Sequence, residues 1–227
     1  RQDFINFQKL YQWSENVDIS GYQPVSPNDV SPRTKNLYMA YDSFNNSDKP
    51  ILAPMELETN QMREELFKLY EIAYGGKDFL ENNYVTWCCA CPNSPLFYAA
   101  FPCDTIEMFA AHNQPVLIVS APMSGITSPV YLLSTIILTV AESLAGLVRA
   151  QLVRPGVPVI MSASLTYGYL RYGSWAPSSP DSSTMLAAMV QMNRDFYHLP
   201  ARAQTGCTSS KLNDFQAGME TIQSFLW

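Results

Sequence analysis

Glu56 and Glu58 stand at the end of a short β-like run, spaced so that both would point to one side of a strand. Carboxylates so placed can act as a pair, one with a raised pKa. The alternative is that Glu58 only supports the amino end of the helix that follows, which leaves Glu56 as the stronger binding candidate. Cys88, Cys89, Cys91 and Cys103 are thiols that could hold zinc. Their order is CCxC and then a lone cysteine, not paired CxxC knuckles, and Cys88 and Cys89 would face opposite sides of a strand, which favours buried free thiols. The two histidines, His112 and His198, each precede an expected strand. With no third histidine there is no basis for a Ser-His-Asp or Cys-His nucleophile. Tyr167, Tyr169, Tyr172 and Trp175 cluster after one expected strand, and Phe97, Tyr98 and Phe101 after another. Ring faces attract a quaternary ammonium, so the two clusters could form a cation cage. They could equally fill gaps between sheet and loops.

The elements that must position these groups alternate. Expected strands cover 19–25, 51–56, 84–90, 115–121, 157–164 and 201–206, recurring about every 35 to 40 residues between longer helical patterns. The helices are expected at 1–17, 31–45, 59–74, 103–112, 129–153, 181–197 and 212–226. In helix 59–74, Thr59 can cap the start, Met62, Leu66, Leu69, Tyr70 and Ala73 form an apolar stripe, and Gly75-Gly76 supplies the stop. The runs PVLIVSA and VPVIM are continuously apolar, as in strands covered on both faces. The expectation is an α/β fold, a (β/α)8 TIM barrel present as about six βα units in one domain over 1–227, incomplete at one or both ends. A doubly wound open sheet is the alternative, but neither GxGxxG nor GxxxxGK[ST] occurs. In a barrel the site lies at the carboxyl ends of the strands, which directs attention to Glu56 and Glu58, 91–94, 123–128, 162–172 and 205–211.

Composition narrows the classes. With 47% hydrophobic and 15% charged residues the chain can bury a large core, and a net charge of -6 argues against nucleic acid as a partner. The start reads as an amphipathic helix without a secretory signal. The apolar stretch 129–153 would put Glu142 near the middle of a bilayer, so a buried helix is expected there, with Glu142 paired or hydrogen-bonded, and no membrane partner. Five cysteines suit a reducing, cytoplasmic location.

Several segments of the second half, in order, resemble the trimethylamine methyltransferase family. They are Gly125-Ile-Thr-Ser-Pro129, Ala141-Glu-Ser-Leu-Ala-Gly146, Gln151-Leu-Val-Arg-Pro-Gly-Val-Pro-Val159, Leu199-Pro-Ala-Arg202, and Gly206 through Ser210-Lys211 and Asp214 to Gln216-Ala-Gly218. The likeness runs from about residue 50 to 220. It implies a TIM barrel, a small methylated amine as donor, and cob(I)alamin on a separate corrinoid protein as acceptor, with no cofactor bound by this chain. Family members acting on trimethylamine carry pyrrolysine, expected near the loop after 157–164, whereas this sequence holds only standard residues. The resemblance therefore implies the non-pyrrolysine branch of one-carbon methyltransferases, with glycine betaine or a similar quaternary amine as donor.

On that reading the nucleophile is the acceptor's, and the enzyme works mainly by positioning the N–CH3 bond. A betaine carboxylate would seek Ser124, Thr127, Ser162, Ser164 or Thr205, or the start of a following helix. Tyr98, Tyr167, Tyr169 and Trp175 would supply ring faces to the ammonium, and Glu56 a helping anion. A non-catalytic barrel that binds a small amine is the rival reading, and a homo-oligomer is left open. A Schiff-base lyase would need a lysine at a strand end. Lys211, the only lysine after Lys77, lies past its strand.

Overall fold

A computed structural model describes residues 1–21, 24–54, 57 and 59–226. The chain is an α/β protein whose described residues form eight helices and eight strands. The principal sheet has five strands in the order β1 (Ile51–Leu52), β2 (Thr86–Ala90), β3 (Val116–Ser120), β5 (Val159–Ala163), β8 (Ala201–Ala203). This is the neighbour order expected of successive right-handed βα crossovers. The chain divides into two compact units, one of Arg1–Ala90, Ala100–Val116 and Arg149–Pro158, the other of Cys91–Ala99, Leu117–Val148 and Val159–Trp227.

The first unit holds α1 (Gln2–Trp13), α2 (Pro32–Asn46), α3 (Asn60–Tyr74), α4 (Lys77–Asn82) and α5 (Ala100–Ala111), with β1 parallel to β2. The expected strand 19–25 is a single bridge from Ser20 to Ile51, and Tyr22 and Gln23 lie outside the described residues. Thr59 caps α3 by accepting from the Met62 N–H at 3.2 Å, and Gly75, at φ 89°, ends it. The buried face of α3 is Arg63, Leu66, Phe67 and Tyr70, while Ala73 of the expected stripe is exposed. Arg63 tolerates burial because its guanidinium donates to the Leu57 carbonyl and Asn60 and meets Asp104 at 3.0 Å. Leu66, Phe67 and Tyr70, each almost wholly removed from water, contribute about 1.5 to 3 kcal/mol apiece. His112 stacks on Phe67 with centroids 4.0 Å apart and bonds the Met108 carbonyl at 2.8 Å, a packing role.

The second unit holds most of β3, then β4 (Met123–Ser124), most of α6 (Leu132–Val153), β5, β6 (Thr166–Tyr169), β7 (Ser174–Ala176), α7 (Pro180–Asp195), β8 and α8 (Phe215–Leu226). Ser179 caps α7 by accepting from Ser182 N–H, and Pro180 takes its first position. Met185, Leu186 and Met189 of α7 pack on Ala163 and Leu165, joined by Ala203 and by Leu132, Ile136 and Val140 of α6. Beyond the carboxyl ends of β3 and β5 the pairing continues. Ser164 N–H donates to Ser120 O at 2.9 Å, then β6 runs parallel to β4 and antiparallel to β7. This three-stranded sheet was not expected, because its strands are two to four residues long and leave no periodic signal. By length and composition α6 could cross a membrane. Glu142 at its middle is nevertheless 1% exposed and hydrogen-bonded, as expected of a carboxylate there.

Candidate functional site

Strand alternation in the second unit sorts the side chains by face. Ala163 and Ala203 belong to the cluster under α7. Ser162 pairs with Arg202 in the β5–β8 register and so lies on the face opposite α7. Arg202 Nη1 reaches the Ser162 hydroxyl at 3.5 Å. One step on, the Ser164 hydroxyl donates to Gln204 Oε1, and Gln204 Nε2 lies 3.2 Å from Cys207 Sγ. Ser162 is fully buried, whereas Arg202 is exposed. Arg202 and Ser162 place a guanidinium beside a hydroxyl near the carboxyl ends of two parallel strands, an arrangement suited to a small anion.

The segment after β8 is held from α8. Gly206 N–H donates to Ser224 Oγ at 2.7 Å, and Thr208 and Ser209 both donate to Glu220 at 2.7 Å. Burial works against the Glu220 charge, but the bonds from Thr208, Gln216 and Ser209 outweigh it and hold this carboxyl below its ordinary range. Beside this segment lies a cavity of about 310 Å³. Ser164, Trp175 and Thr205 line it together with Gln191 and Arg194 of α7. Arg194 is partly neutralised there by Asp195, at 2.6 Å.

Ser124 and Thr127 are engaged within their own loop. The Ser124 hydroxyl donates to Pro129 O and Val130 O, and Thr127 Oγ1 accepts from Met123 N–H at 2.8 Å. Gly125, at φ 84°, makes the turn between them. In the β6–β7 ladder Gly168 faces Trp175, Tyr167 faces Ala176 and Tyr169 faces Ser174. Directly paired residues share a face and neighbours alternate, so Trp175 lies on the face opposite Tyr167 and Tyr169. Tyr98 donates its hydroxyl to the Glu142 carbonyl at 2.9 Å, and a Cβ at Gly146 would sit 2.5 Å from that oxygen. The four rings expected to form one cage thus divide between the two faces of a small sheet and the side of α6. Glu56 lies outside the described residues, as does Glu58.

Glu142 organises the loop after β2. Its Oε1 accepts from Leu96 N–H at 2.9 Å, and its Oε2 from the hydroxyls of Ser94 at 2.8 Å and Ser120 at 2.5 Å. Arg202 and Gln204 escaped the sequence reading. The signal was available as ARAQT, in which small outward residues alternate with long polar ones.

The family model described as trimethylamine methyltransferase (MTTB) matches residues 1–227. The chain is 33% identical over 225 residues to the glycine betaine methyltransferase of Desulfitobacterium hafniense (strain Y51), covering 99% of this chain and 46% of that protein. It is 32% identical over 230 residues to a trimethylamine methyltransferase of Methanosarcina thermophila, covering 99% and 46%. A trimethylamine methyltransferase of Methanosarcina mazei is 30% identical, covering 99% and 45%. The chain therefore spans about half the length of the curated relatives it matches.

Proposed function

The chain belongs to the trimethylamine methyltransferase family, and from that premise we propose that it forms part of a cytoplasmic (β/α)8 barrel that moves a methyl group from a quaternary amine of the glycine betaine type to cob(I)alamin on a corrinoid protein. One observation carries the choice of donor. Arg202 and Ser162 lie side by side near the carboxyl ends of β8 and β5. A guanidinium beside a hydroxyl group is a seat for a carboxylate. Glycine betaine has a carboxylate and trimethylamine has none. The sequence also contains only standard residues, and a quaternary nitrogen needs no further activation to release a methyl group.

The chemistry asks little acid–base work of the protein. The N–CH3 bond breaks with its electron pair left on nitrogen, and the methyl group passes to the acceptor's metal, which supplies the pair for the new bond. The leaving group is a neutral tertiary amine that needs no proton. A chain whose two histidines take no part in the strand-end cluster suits such a transfer. The acceptor is a substrate carried on its own protein. Arg202 and Ser162 hold the donor's carboxylate, which fixes the distant N–CH3 bond in line for transfer. Tyr167 and Tyr169, which share a face of β6, offer ring faces to the ammonium.

The test uses the full-length protein with a reduced corrinoid acceptor, following methylcobalamin by absorbance. Glycine betaine should be the productive donor. Transfer from trimethylamine alone would overturn the donor assignment. Binding of betaine without transfer from any amine would leave a non-catalytic binding protein.

A further inference from the structure

A buried carboxylate is seldom the most stabilising choice for its position, since an apolar side chain of similar volume often does as well or better. Glu142 is 1% exposed on a helix that is otherwise largely apolar. It is retained with three donors drawn from two separated segments, Ser94 and Leu96 of the loop after β2 and Ser120 at the carboxyl end of β3. Such an arrangement fixes conformation more than it adds stability.

The loop itself carries the second observation. Leu96, a branched non-glycine residue, is held at φ 52°, a left-handed conformation that costs on the order of 1 kcal/mol or more and persists only where the surroundings impose it. The N–H of that same residue donates to Glu142. Asn93 and Phe97 close the loop on itself through reciprocal backbone bonds of 2.7 and 3.1 Å. Tyr98 ties its far side to the Glu142 carbonyl, over the gap left by Gly146. The side chains of Leu96 and Phe97 are thereby held outward, 68% and 58% exposed.

We propose that Glu142 is a positioning residue. It clasps the loop 91–99 to the end of β3, so that the loop stands as a fixed wall of the methylamine site, and it does not touch the donor. The proposal rests on the function proposed above for the site, and it implies that loss of the clasp loosens donor binding while leaving the transfer step nearly intact. Glu142→Gln keeps an acceptor for Leu96 N–H and turns an amide toward two hydroxyls that can reverse their roles, so it should preserve the loop.

Two measurements on the full-length protein separate the clasp from the function. Amide exchange at Leu96, Phe97 and Tyr98 should quicken by about tenfold or more in Glu142→Ala and stay within about threefold of wild type in Glu142→Gln. KM for glycine betaine should rise by about tenfold in Glu142→Ala with kcat within about threefold, and Glu142→Gln should restore it. Should Glu142→Ala not fold, Ser94→Ala and Ser120→Ala each remove one donor and should shift KM in the same direction by a smaller factor. Unchanged exchange in Glu142→Ala would overturn the clasp. Faster exchange with unchanged KM, or equal losses of kcat and KM in the Ala and Gln variants, would overturn its positioning role. If wild-type protein transfers no methyl group, the proposed function fails, and the exchange data still decide whether the clasp exists.

Discussion

Gly146 in α6 offers a direct measure of how tightly the loop 91–99 is seated. Replacing it by Ala should favour the helix by about 0.8 to 1 kcal/mol on propensity alone. A Cβ there would lie 2.5 Å from the Tyr98 hydroxyl and 2.7 Å from Ile118 Cδ1, both inside any real contact distance. Ile118 is fully buried in β3, and the Tyr98 hydroxyl is anchored on the Glu142 carbonyl, so neither yields freely. Overpacking of this kind costs about 1 to 3 kcal/mol, which exceeds the helical gain, and Gly146→Ala should therefore destabilise by about 1 kcal/mol. Tyr98→Phe removes the nearer of the two obstructing atoms along with one hydrogen bond, for about 0.5 to 1.5 kcal/mol by itself. In its presence Gly146→Ala should cost less, with a coupling of about 1 kcal/mol. The assay is the denaturant midpoint of the full-length protein for wild type, both single variants and the double variant, at constant slope. A Gly146→Ala protein more stable than wild type would show that propensity outweighs the close approach. Additivity within about 0.5 kcal/mol would show that Tyr98 does not press on Gly146.

Arg202→Ala should raise KM for glycine betaine by about ten- to a hundredfold while leaving tetramethylammonium, which has no carboxylate, within about threefold. Parallel changes for both donors would refute the carboxylate seat. Burial, opposed by the bond from Thr86, holds the Tyr70 phenol above its ordinary pKa. A raised folded-state value contributes stability that is present below the unfolded pKa of about 10 and is lost as pH climbs above it, so the denaturant midpoint should fall at alkaline pH and Tyr70→Phe should flatten that fall. Arg63→Ala leaves the Leu57 carbonyl without its donor and a void under α3, and should lower stability by about 2 to 4 kcal/mol in denaturant titrations, against less than 1 kcal/mol if the guanidinium is dispensable.

The helices and the parallel strand order were legible because each rests on a periodic signal or a cap. Thr59 and Gly75 bracket α3 as their types require, and the apolar run 116–119 and the Ser120 that follows it are buried at every position. What failed in α3 was the detail of its face. Arg63 is a charged residue whose burial depends on partners at Leu57, Asn60 and Asp104, and no local pattern reveals such partners. The small sheet of β4, β6 and β7 was hidden for a related reason. It is defined by pairing between segments about 40 residues apart, and its strands are too short to show alternation.

For the site, residue type misled where register decides. Tyr167, Tyr169 and Trp175 look like one cluster in the sequence, yet the antiparallel ladder through Gly168 and Trp175 sends the tryptophan to the other face. Ser124 looks like a free donor, yet its hydroxyl is spent on the Pro129 and Val130 carbonyls, and Thr127 Oγ1 accepts from Met123 N–H in the same turn. The residues that gather at the strand ends follow from the period of two along β5 and β8. Ala163 and Ala203 turn toward α7, so Ser162 and Arg202 must turn the other way, while Ser164 and Gln204, just past the strand ends, line the cavity beside α7. A polar residue at alternate positions of a strand whose other positions are small and buried is costly unless its face meets water or a ligand. In 201–203 the half-buried Ala201 and Ala203 flank an exposed Arg202, so its guanidinium keeps its contact with water and stays accessible to an anion.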